Sequence, residues 1–187
     1  MNHKPDNTLI IKQTQNWVKT VIIGLNFCPF ARRVYEGESI HYPVVTDSDL
    51  EPCLHALIDE CLYLDKNNNF ETSLVIFSQA FTIFDDFLDF VEIANALLID
   101  RGYEGIYQLA HFHPHYHFAD VTENDASNYT NRSPWPMLHI IRESSLEQAL
   151  KNYPEPESIP ERNIKLAREK GCEHMQAMLE ACYKPPE

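Results

Sequence analysis

Apolar residues recur at three- or four-residue spacing from Ile10 through Trp17, Val18, Val21 and Ile22 to Leu25, which predicts one buried face of a first helix. Asn7 or Thr8 can cap its start, and Gly24 and Asn26 stop it. Residues 39–45 are short and β-prone. Ser48-Asp49-Leu50-Glu51 has capping-box spacing and opens a second helix that turns Leu50, Cys53, Leu54, Leu57, Ile58, Cys61 and Leu62 inward. The polar run Lys66-Asn67-Asn68-Asn69 ends that helix, and residues 73–77 then read as a buried strand. A third helix places Phe84, Phe87, Leu88, Val91, Ala94 and Leu98 on one side, with Asp85, Asp86 and Asp89 suiting the positive end of its dipole. Residues 105–110 begin a third strand, and a fourth, 137–141, follows only after a long polar stretch. Ser144-Ser145-Leu146-Glu147 opens a short helix to Leu150, Pro154, Pro156 and Pro160 mark a rigid linker, and two terminal helices flank Gly171.

Strands joined through helices favour parallel pairing with right-handed crossovers, so the first three strands are expected to form a βαβαβ unit, the fourth pairing either way. The expected fold class is α/β (or α+β): a four-stranded, mostly parallel or mixed sheet with flanking helices and C-terminal helices. A ferredoxin-like α+β sandwich is the competing topology. The 187 residues suit a single globular domain, with 1–7 and 184–187 expected to be flexible.

Composition narrows the function classes. Hydrophobic residues make up 44% and charged residues 23%, a globular balance, and no apolar run approaches the roughly 20 residues that cross a bilayer. The N-terminus lacks the basic-then-apolar order of a secretory signal, so a cytoplasmic address is expected and no membrane partner. A net charge of −13 repels phosphate backbones and argues against a nucleic-acid partner. The five cysteines contain no Cys-x-x-Cys pair, which points to neither a disulfide framework nor a zinc ribbon. Nothing in the sequence indicates a cofactor or an oligomeric state.

Candidate chemistry concentrates in three places. His111, His113, His115 and His117 alternate, which on a strand directs imidazoles to one face, but Pro114 interrupts the pattern and no metal ligand set is assigned. The loop 120–136 holds Asp125, Asn128, Asn131, Arg132 and Ser133, and the strand after it adds His139 and Arg142. A guanidinium fork beside amide and hydroxyl donors suits a small anionic ligand. The bland reading is that Asn and Ser satisfy turn backbone while Arg132 pairs with a nearby carboxylate. Cys28 precedes Pro29, with Arg32 and Arg33 following; these arginines can lower a thiol pKa, whereas the plain alternative is a small buried hydrophobe. Gly-x-Gly-x-x-Gly, Walker and Gly-x-Ser-x-Gly motifs are absent from the sequence.

The segments Gly24-Leu25-Asn26-Phe27-Cys28-Pro29-Phe30-Ala31 and Phe112-His113-Pro114, then Tyr116 and Phe118, lie on one recognisable pattern. With them go Asn128-Tyr129-Thr130-Asn131-Arg132-Ser133-Pro134, Leu138-His139 and Arg142. Together they resemble the bacterial family known as domain of unknown function 1415. The resemblance implies no activity, substrate or cofactor. It does place His113, Tyr116, Asn128, Asn131, Arg132, Ser133, His139, Arg142 and Cys28 on family-like positions and leaves His111, His115 and His117 off them.

Three functional expectations follow. The first is an enzyme acting on a small anionic metabolite, with His113 or His139 as general acid or base, Asp125 orienting a histidine, and Arg132 and Arg142 meeting the anion, alongside Asn128, Asn131, Ser133 and Tyr116. The second is a noncatalytic ligand-binding or regulatory domain that uses the same loop. The third is a thiol redox protein centred on Cys28.

Overall fold

The computed structural model describes residues 6–151 and 153–184. In chain order, α1 (Asn7–Trp17) continues into a π-helical turn (Val18–Ile23), followed by α2 (Ala31–Glu36), β1 (Ile40–His41), β2 (Val44–Val45) and α3 (Leu50–Lys66). Next come β3 (Thr72–Phe77), α4 (Phe84–Asp100), β4 (Tyr107–Phe112), a 3-10 turn (Ala126–Thr130) and β5 (Met137–Arg142). The chain closes with α5 (Glu143–Leu150), a second 3-10 turn (Pro156–Ser158), α6 (Ile159–Lys170) and α7 (Cys172–Cys182). Of the terminal segments expected to be flexible, 1–5 and 185–187 lie outside the described residues, while Asn7 already opens α1.

All six residues of β3 are buried, as a strand covered on both faces requires. β1 and β2 pair with it in parallel at one constant register, Ile40 beside Thr72 and Val44 beside Ile76. They are the single strand expected over 39–45, interrupted at Tyr42-Pro43 because Pro43 has no N–H to give a ladder. β5 lies antiparallel on the other side of β3, and β4 lies antiparallel beyond β5. β3 and β4 therefore run in the same direction but are not neighbours, since β5 fills the gap between them. The α/β expectation of a mixed sheet with flanking helices holds. The first three expected strands share a direction, and the fourth takes the antiparallel place among them.

Period-two alternation sends the sheet's side chains into two cores. On one face Val75, Phe77, Leu138 and Ile140 pack under α3 and α4, where Leu57, Cys61, Phe87 and Phe90 meet them. Phe77 stands edge-on to Phe90 at 5.0 Å, and Phe81 stacks on Phe90 at 4.1 Å, so the aromatic cluster is core. On the other face Leu74, Ile76 and Met137 pack with Ile10, Trp17, Val21 and Met175 from α1, the π-helical turn and α7. Polar ties lock this second layer: Trp135 Nε1 donates to Gln13, Gln13 Nε2 donates to the Tyr183 carbonyl, and the Tyr183 hydroxyl donates to the Pro134 carbonyl.

Neither capping-box spacing yields a side-chain cap, because α3 starts behind Asp49 and α5 springs directly from β5 behind Arg142. α2 is an addition to the sequence reading. It buries no residue fully, so it carries no apolar stripe to betray it. The widened π-helical turn brings the Thr20 carbonyl against Gly24, where an added Cβ would overlap the oxygen. Gly24→Ala is therefore expected to destabilise the protein by more than about 1 kcal/mol, read as a lower urea midpoint at unchanged slope.

Candidate functional site

A loop outside regular structure must find partners for its own backbone groups. Between β4 and β5 the polar residues singled out from the sequence do that work. Asn128, fully buried, accepts from the Phe118 N–H through Oδ1 and donates through Nδ2 to the Thr122 and Glu123 carbonyls. Arg132 donates from Nε to the Tyr116 carbonyl at 2.9 Å and from a terminal nitrogen to the Glu123 carbonyl at 2.8 Å, its guanidinium 4.6 Å from the Tyr129 ring centre. Ser133 donates to the Trp135 carbonyl at 2.6 Å. Asp125 accepts from the Ser127 N–H and from Arg168 through both oxygens; these partners, Arg168 first, hold its carboxyl well below the usual range. Arg142 reaches the other face of the sheet, donating to the Tyr107 hydroxyl and to the Leu64 and Phe70 carbonyls.

The two histidines lie on opposite faces of the sheet. His113 is completely buried against Phe84 and Phe87 of α4. Its Nε2–H donates to the Phe81 carbonyl at 2.8 Å and its Nδ1 accepts from the His115 N–H at 3.0 Å, so both ring nitrogens are occupied. Phe81 makes that bond from a left-handed conformation, φ 58°, rare for an aromatic residue. Burial pushes His113 down to about 4. Tyr116 stacks near Phe84 on the same side. Among the described residues, no three histidine, cysteine or carboxylate side chains converge as a metal site.

His139 faces the opposite layer, where a cavity of about 440 Å³ separates the sheet from the elements above it. Thr72, Leu74, Ala110, Phe112, His139 and Ile141 form its floor; Trp17 and Ile22 wall one side, α5 and α6 the other. Cys28 enters from the loop before α2. α6 pins that loop, since Asn163 donates to the Phe27 carbonyl and Arg162 to the Asn26 carbonyl. Thr130 and Asn131 also reach the lining, and they bond each other. Arg33 and Glu71 complete it, joined by two bonds of 2.5 and 3.3 Å. The walls are chiefly aliphatic and aromatic, as in sites for small organic molecules.

Within this cavity the Thr72 hydroxyl lies 2.6 Å from the Ile140 carbonyl, which can only accept, and 2.7 Å from His139 Nε2. The Thr72 proton goes to the carbonyl, so His139 Nε2 carries a hydrogen and donates it to the Thr72 oxygen. Nδ1 is left with its lone pair, and among the described residues it has no protein partner. Burial pushes His139 down to about 4, which keeps the imidazole neutral at pH 7. Burial likewise pushes the Cys28 thiol up, against weaker help from the Phe30 and Ala31 N–H groups. The arginines expected to activate that thiol pair elsewhere, Arg32 with Glu36 and Arg33 with Glu71.

The family described as "Protein of unknown function (DUF1415)" matches residues 9–177. The chain belongs to that family. No curated protein and no solved structure matches it. The matched DUF1415 region spans every element that lines the cavity, from the Trp17 wall to Ile164. No helix of the described residues is long and apolar enough to cross a membrane. Of the site residues expected from sequence, the cavity gathers Cys28, Asn131, His139 and Arg142, while His113, Tyr116, Asp125, Asn128, Arg132 and Ser133 lie outside its lining. Thr72 and Glu71 had no place in the sequence reading, and Arg33 entered it only as a neighbour of the Cys28 thiol; a lone threonine opening an apolar strand was the one faint sign.

Two outcomes follow for this DUF1415 chain. Arg132→Ala leaves the Tyr116 carbonyl without its donor and the Glu123 carbonyl with Asn128 alone, and is expected to lower stability by about 1–3 kcal/mol in denaturant unfolding. Both low histidine pKa values favour the neutral ring in the fold, so the unfolded chain binds more protons between pH 6.5 and about 4. Stability is complete above pH 6.5 and falls as pH drops through that window, by up to about 3 kcal/mol per histidine. Unfolding free energies measured across pH 4–7 should show a shallower slope in His139→Gln than in the parent.

Proposed function

We propose that this protein binds a small molecule with a largely apolar body in the cavity between the sheet and α5–α6, and that His139 receives a hydroxyl or N–H group of that molecule. The observation that carries the reading is the unpartnered Nδ1 of a neutral imidazole within an apolar cavity of about 440 Å³. A neutral acceptor in apolar surroundings favours a ligand that donates, because the apolar walls around it can offer it no hydrogen bond. The enzyme reading rests on the same nitrogen: a neutral imidazole with a free lone pair is the form that takes a proton as general base. The noncatalytic binding reading needs only the cavity. A polar-loop anion site has less support, since Arg132 and Arg142 are already engaged by carbonyl and hydroxyl oxygens. The raised Cys28 thiol lends no support to a redox role.

Trp17 lines the cavity and supplies a fluorescence signal. 1-Naphthol is expected to bind roughly three- to tenfold more tightly than 1-methoxynaphthalene, which cannot donate. His139→Leu should erase that preference, and Leu146→Trp, which fills the cavity, should weaken both. Equal binding of the two compounds to the unaltered protein, or binding that survives Leu146→Trp and Ala149→Phe alike, would count against the reading.

A further inference from the structure

The rim of the cavity holds a charge arrangement that names a head group. Arg33 and Glu71 both line the cavity, yet the Arg33 side chain is 69% exposed, so the pair sits where the cavity meets solvent. The guanidinium grips both oxygens of Glu71, one per terminal nitrogen, which is the fork by which arginine holds any carboxylate. Arg142, the other arginine of the lining, already donates to the Tyr107 hydroxyl and two carbonyls, whereas Arg33 has no partner but Glu71 among the described residues.

We propose that the ligand is an amphipathic carboxylate whose apolar chain enters the cavity and whose head group displaces Glu71 from Arg33. The inference rests on the cavity reading above and adds the charged end of the ligand. Glu71 occupies the position of the incoming carboxylate. Glu71 is the less exposed partner, at 26%, but the guanidinium stands in solvent and can hold either carboxylate with the same fork, so the exchange changes little at Arg33 while the chain gains burial. The apolar lining behind the pair supplies that burial without any further charge to satisfy.

Octanoate and octan-1-ol separate head from chain, read by Trp17 fluorescence or calorimetry. Octanoate is expected to bind the unaltered protein, to tighten roughly fourfold with each added CH₂, and to weaken about tenfold in Arg33→Gln. Octan-1-ol should change less than twofold in the same variant. Glu71→Gln, which removes the competing carboxylate, should tighten octanoate severalfold and leave the alcohol alone. Arg33 stands in solvent and Glu71 is partly buried, so urea unfolding of both variants is measured alongside to check that the fold is retained. If octan-1-ol binds and octanoate does not, or if Arg33→Gln affects the two equally, the head-group assignment is wrong and the cavity reading stands. If neither octanoate, octan-1-ol nor 1-naphthol binds, the cavity reading fails and takes this inference with it.

Discussion

The register of β5 is the constraint on which both faces of the molecule depend. β5 pairs antiparallel on two sides, with β3 and with β4, so its alternation is read simultaneously by the α3–α4 core and by the cavity. Leu138 and Ile140 belong to the first, His139 and Ile141 to the second. A shift of one residue would drive the imidazole into the apolar core and expose leucine to the cavity. The register is pinned beyond its ladder bonds. Thr72 contacts both Ile140 and His139, and Arg142 at the end of the strand reaches the Tyr107 hydroxyl, which in turn donates to Asp65 on α3. The interactions that fix the fold are therefore the ones that leave Nδ1 of His139 free.

The long connection before β5 shows how one residue type serves two chemistries. Guanidinium, amide and hydroxyl groups are donors suited to an anion, and equally to a carbonyl oxygen. In a loop with few ladder bonds the carbonyls are close, numerous and unsatisfied, so they capture Arg132, Asn128 and Ser133 first. Sequence density of polar donors thus measured how much backbone the loop must satisfy. The group that faces the cavity is instead a single histidine on the adjoining strand.

Long periodic segments were legible. The helices α1, α3 and α4, the buried run of β3 and the helical pair around Gly171 all appear where the spacing predicts them, although Leu50 and Leu62 of the α3 stripe turn out to solvent. α2 was not, because six residues without a fully buried side chain leave no period to detect. Strand order was unreadable for a different reason: alternation tells which face a residue takes, but not which strand lies beside it. That gap also hid the cavity lining. Cys28 and His139 were visible as candidates, yet Thr72, Arg33 and Glu71 join them only through the pairing of β3 with β5 and the turn into α2. His113 carried the same sequence signal as His139 and serves the core, since one residue's position on a strand decides which side of the sheet it meets.

The way Arg132 and Asn128 hold their loop has a consequence for how such a chain can change over generations. Both grip main-chain atoms, at Tyr116, Phe118, Thr122 and Glu123, and a main-chain atom is supplied by whatever residue stands there. The path of residues 116–123 is thus encoded largely in two side chains outside the segment, and apart from Tyr116, which packs on Phe84, and Phe118, which lines the cavity, its own side chains are released from specifying it. Relatives can rewrite the outer surface of that segment while inheriting its course, which lets the exterior diverge around an interior that stays put.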